Sequence, residues 1–61
     1  MTIKELLENL RNVCKGMSKQ EMFDCARLEH IWALGSATNE EAYMHEQNAT
    51  AYRLLANEMG E

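Results

Sequence analysis

Apolar residues come along this chain in three bursts, each repeating with the spacing of an α-helix. In the first, Ile3, Leu6, Leu7, Leu10, Val13 and Cys14 recur every three or four residues, which keeps them on one stripe. In the second, Met22, Phe23, Cys25, Ala26, Leu28, Ile31, Trp32, Ala33 and Leu34 cover most of a helix circumference, and Asp24 and Arg27 leave only a narrow polar strip. A helix that is apolar nearly all round needs neighbours on more than one side, so this segment is expected at the centre of the fold. The third burst is longer and sparser. Its seam reads Met44, Asn48, Ala51 or Tyr52, Leu55 and Met59, with Ala42, Ala49 and Ala56 as small residues nearby.

The polar positions between the bursts supply starts and stops. Thr2 with Glu5, Ser18 with Glu21, and Thr38 with Glu41 each have capping-box spacing, and Met17 and Met22 flank the second box as a hydrophobic staple. Gly16, Gly35 and Gly60 close the three runs, and Gly16 is placed to adopt the left-handed conformation that ends a helix. No alternating strand pattern, repeat or low-complexity segment competes. The fold class is therefore all-α: a single small three-helix domain over residues 1–61, with helices near 3–15, 19–34 and 39–58. The first two are expected to form an antiparallel helical hairpin through Gly16–Ser18, with the longer third helix packing across them.

Length changes this picture. A chain of 61 residues buries only about 60% of the surface its unfolded form exposes, so a partner surface is expected. A second copy, in a two-fold dimer, is the favoured one. Charge changes it again. Residues 1–30 are neutral overall, whereas residues 31–61 set Arg53 against Glu40, Glu41, Glu46, Glu58 and Glu61 and carry the whole net charge of −4. Such a half repels phosphate backbones and favours basic protein surfaces. Helix, glycine turn and helix do occur twice, but the third helix opens Thr38-Asn39-Glu40-Glu41, which pushes phosphate away, and the second is too apolar to lie in a groove.

Candidate chemistry is sparse. Glu41 and His45 share a helix face, yet a metal needs several converging ligands. Cys25 and His30 lie about 140° apart around one helix, too far for a nucleophile and its base. No Gly-rich phosphate loop is present, and Asn48-Ala49-Thr50, a glycosylation pattern, falls mid-helix. Neither an enzyme nor a cofactor is expected. No basic segment followed by an apolar run opens the chain, and no apolar stretch reaches the ~20 residues of a membrane span. A cytoplasmic location is expected, with Cys14 and Cys25 as free thiols serving as small hydrophobes rather than as a disulfide. The aromatic residues admit two readings. Trp32 and Tyr52 close the small core with Tyr43 on the surface, or they contribute to an interface. The candidate protein-binding residues are Trp32, Tyr43, Met44, Asn48, Tyr52, Leu55 and Met59, and Glu40, Glu41 and Glu46 form a candidate acidic face. Asn48 stands where a hydrophobe would continue the seam, as a residue that sets register between helices does.

As a whole reading frame that opens Met1-Thr2-Ile3, is acidic, has three capped helices and lacks a catalytic motif, the chain resembles the small early-region proteins of lambdoid phages encoded between the exonuclease and excisionase genes. The resemblance implies a regulator that binds host or phage proteins, and implies no role for any single residue. The expected function is a small non-catalytic protein-binding regulator or inhibitor. The alternative is a nucleic-acid-associated regulator, excisionase-like or transcription-modulating.

Overall fold

A computed structural model describes residues 2–59, which form three helices: α1 (Ile3–Val13), α2 (Lys19–Leu34) and α3 (Asn39–Glu58). Gly60, read as the third stop, lies outside the described residues, as do Met1 and Glu61. The molecule is a single compact all-α domain, as the periodicity predicts. The first helix ends at Val13 rather than at 15, with Cys14 as its C-cap, and Gly16 follows at φ 87°. That left-handed conformation suits glycine, which has no Cβ to clash.

Two of the three capping boxes are complete. The Thr2 hydroxyl accepts from the Glu5 amide while the Glu5 carboxylate accepts from the Thr2 amide, and Ser18 and Glu21 do the same. The third is made on one side only. Thr38 accepts from the Glu41 amide at 3.2 Å, but the Glu41 carboxylate does not return to the Thr38 backbone. Met17 and Met22 join one cluster, as a staple requires.

The order of packing differs from the expected hairpin of the first two helices. α2 and α3 pack most extensively, α1 packs on α3, and the backbones of α1 and α2 do not meet. The middle helix is α3, not α2. Its alanines account for this. Ala49 and Ala51 are both 0% exposed, yet two residues on a helix point about 200° apart, so α3 is covered on two opposite sides. On α2 the buried alanines Ala26 and Ala33 are seven residues apart, as are Ala49 and Ala56 on α3. Small residues on both helices permit close approach, and the large side chains of α1 pack instead on the side of α3 that carries Ala51 and Leu55. Leu10, Cys14, Met22, Ala51, Leu55 and Ala56 form the buried cluster, with Ile3, Leu6, Leu7, Met17, Phe23 and Tyr52 half-buried around it. Arg11 clamps both carboxylate oxygens of Glu58 at 2.7 Å, which places the C-terminal ends of α1 and α3 side by side.

Both complete boxes make stability depend on pH. The Glu5 and Glu21 carboxyls are held below their ordinary 4.5, first because each accepts a backbone N–H from its cap residue. A depressed folded-state pKa contributes stability that is fully present above the unfolded value and is lost as pH falls through the folded one. The Glu5→Gln/Glu21→Gln variant keeps an acceptor at each position without titrating, so its Tm should fall less steeply than the parent's below pH 4.5. Ser18→Ala removes a cap outright. It should cost about 1 kcal/mol, or roughly 4–8 °C in Tm for a chain of this size, measured by thermal circular dichroism.

Candidate functional site

α2 turns its alanine stripe to α3, so the residues about half a turn away face outward. These are Leu28, Ile31 and Trp32, spaced i, i+3, i+4 on one stripe, and each is about half exposed (48, 52 and 53%). The excess of apolar surface expected for α2 is thus present, but as an uncovered face rather than as a central position. Trp32 does not close the core. Its ring leans on His45, with centroids 5.8 Å apart and planes at 58°. The last turn of α2 contains no basic residue, and its end is held by the Ser36 hydroxyl donating to the Trp32 carbonyl at 2.8 Å.

Between α2 and α3 lies a pair of crossed histidine–glutamate contacts. His30 on α2 meets Glu46 on α3, and Glu29 on α2 meets His45 on α3, each with Nδ1 2.6 Å from a carboxylate oxygen. The dipeptide Glu29-His30 faces His45-Glu46, and the contacts cross so that each glutamate meets a histidine of the other helix. Sequence reasoning took Glu46 as part of an open acidic face, but His30 occupies its carboxylate. Glu40 and Glu41 are exposed as expected. The mirrored dipeptides were the available signal, readable only once α2 and α3 are known to pair.

The seam of α3 divides. Ala51, Tyr52 and Leu55 are packed within the chain, while Met44 and Met59 at its two ends are exposed. The middle of the seam is therefore taken up by α1 and α2 and cannot serve a second copy in this fold. Asn48 is half-buried, and with Tyr43, Met44 and Gln47 of α3, Leu6 of α1 and its cap residue Thr2 it lines a cleft of about 300 Å³. Thr2, Leu6 and Gln47 were not read as site residues, because this cleft arises from α1 lying along α3.

Cys14 is buried, Cys25 half-buried, and both thiols are free. Burial pushes the Cys14 thiol up, with the nearby Cys25 adding to the effect and a hydrogen bond to Tyr52 opposing it. Burial likewise raises the Tyr52 hydroxyl. A thiol with a raised pKa is a poor nucleophile. Among the described residues no group of three or more His, Cys, Asp or Glu is placed to hold a metal, and no helix is long and apolar enough to cross a membrane. The chain matches no protein-family model, no curated protein and no solved structure.

The two crossed pairs should differ in worth. The Glu29 and His45 side chains are 13 and 33% exposed, against 48 and 45% for His30 and Glu46. His45→Ala leaves a largely buried carboxylate without its partner and should cost about 1–3 kcal/mol. His30→Ala breaks a surface pair and should cost no more than about 1 kcal/mol. Urea denaturation of the two variants checks the order, and equal losses would contradict it.

Proposed function

We propose that this chain is a small non-catalytic protein-binding regulator acting in the cytoplasm, and that the outward face of α2 is its contact surface, with a second copy as one occupant. The observation that supports this reading is the stripe of Leu28, Ile31 and Trp32, three large apolar side chains about half exposed on one helix face. Tryptophan is among the residues most enriched where binding energy concentrates. The charges near the stripe, Asp24 and Arg27, cancel. Two copies of this face can therefore approach without the repulsion that the net charge of −4 imposes elsewhere.

A pair of antiparallel α2 helices across a two-fold axis is the symmetric arrangement. Three side chains fall short of the roughly 800 Å² per partner that stable interfaces bury. The dimer is therefore a weak one that gives way to a better partner, as a regulator requires. This reading agrees with what the resemblance to lambdoid phage early proteins implies. Of the two surfaces expected for self-association, the central segment that becomes α2 and the seam of α3, it keeps α2 and drops the seam.

Sedimentation equilibrium across micromolar concentrations tests it. The parent should show a reversible monomer–dimer equilibrium, and Leu28→Glu/Ile31→Glu should be monomeric throughout with unchanged helical circular dichroism. A parent that stays monomeric sinks the dimer, and a variant that still dimerises moves the contact elsewhere. Salt-dependent retention on DNA would favour the nucleic-acid alternative.

A further inference from the structure

We propose that the cleft between the start of α1 and the N-terminal half of α3 docks a cationic amphipathic helix of a partner protein. One apolar side chain of that helix seats against Leu6, Tyr43 and Met44, while its lysines or arginines meet Glu40 and Glu41. This extends the protein-binding reading to a second surface, on a different side of the molecule from the α2 stripe. Because α1 runs along α3 with Thr2 and Leu6 beside Tyr43–Asn48, it leaves the opening turns of α3 uncovered. Tyr43 and Met44 are exposed there, and beyond them a shallow depression continues past Asn39 and Glu40.

The dimensions and lining select the kind of occupant. At 300 Å³ the cleft is at the lower end of ligand-pocket volumes, with room for an anchoring side chain. Glu40, Met44 and Asn48 are spaced i, i+4, i+8, so the charged and apolar contacts lie in a line along α3. An amphipathic helix laid in a groove uses such a line, with anchors one turn apart.

Charge selects its sign. From Leu28 to Tyr52 the chain contains no lysine or arginine, and its two histidines are engaged by Glu29 and Glu46. No cation among the described residues forms a salt bridge with Glu40 or Glu41. The partial charge at a helix N-terminus, about +0.5, is smaller than that of two carboxylates. On the adjoining turns of α1, Lys4 is outnumbered by Glu5 and Glu8. A second copy would bring the same acidic end against this one, so a cationic partner fits where a copy does not.

The test is a titration of isotope-labelled protein, followed by amide chemical shifts, with three synthetic peptides about 15 residues long, enough for a marginal helix. One is a leucine–lysine amphipathic helix, one has the same residues scrambled, and one has glutamate for lysine. The first should bind and shift Leu6, Tyr43, Met44, Gln47 and Asn48. Glu40→Lys/Glu41→Lys should weaken it by roughly tenfold, as for two surface pairs turned repulsive, and remove most of its salt dependence. Tyr43→Ser should weaken it while leaving the salt dependence in place.

Equal binding of the scrambled or glutamate peptide overturns the proposal, as do shifts centred on Leu28, Ile31 and Trp32 or no binding at all. Because Glu40→Lys/Glu41→Lys leaves the α2 stripe intact, its self-association should match the parent's. Failure at the cleft is thereby distinguished from failure of the α2 reading.

Discussion

The structure depends on α3 being buried from two sides, and that depends on alanine. A helix can be sandwiched in so small a chain only if at least one contact is close, and the buried alanines Ala26 and Ala33 of α2 and Ala49 of α3 permit this. The opposite side of α3 then meets the leucines of α1 across Ala51 and Leu55. Among the described residues no large side chain is fully enclosed. Cohesion comes from many small contacts rather than from a few deep ones. Every helix therefore keeps a side toward solvent, and the two surfaces proposed for docking follow from that incompleteness.

Which parts of this were legible in the sequence follows from the range of the interactions. Helix starts are local, and Thr2, Ser18 and Thr38 were each placed by side chains three residues away. The packing order is not local. α2 looked central because apolar residues surround it, and a count of apolar residues favours large side chains. Burial favoured the small ones. The alanines of α3 carry little hydrophobic weight individually, yet they decide which helix the other two share. The same count put Leu28 and Ile31 on a helix expected at the centre, whereas both are about half exposed. The cleft beside Tyr43 and Met44 required knowing that α1 lies along α3. Glu40 and Glu41 could be read as exposed from charge and Tyr43 by one of two readings of the aromatics, whereas Met44 was read as part of the seam and Glu46 as open, because what covers each is set by other helices.

The crossed contacts between Glu29-His30 and His45-Glu46 bear on specificity rather than on bulk stability. Alanine offers little shape to interlock, so small residues between α2 and α3 discriminate weakly between alignments. Each histidine lies opposite a glutamate only in the observed alignment. A slide in either direction leaves Glu29, the less exposed of the two carboxylates, without its partner, and an unpaired carboxylate removed from water is costly. Polar residues here select one arrangement among several that packing alone would accept.

The place of α3 in the chain has a consequence for synthesis. The helix that both others need is the last of the three to be made. Until it emerges, α1 and α2 have no backbone contact to form with each other, and the apolar stripe of α1 and most of α2 remain open. At about 5–20 residues per second, the 20 residues of α3 take roughly one to four seconds to add. During that interval α1 and α2 have no α3 to pack on, and their apolar faces lack the partner that buries them. The complete capping boxes on α1 and α2, which need no tertiary partner, keep those helices started while they wait.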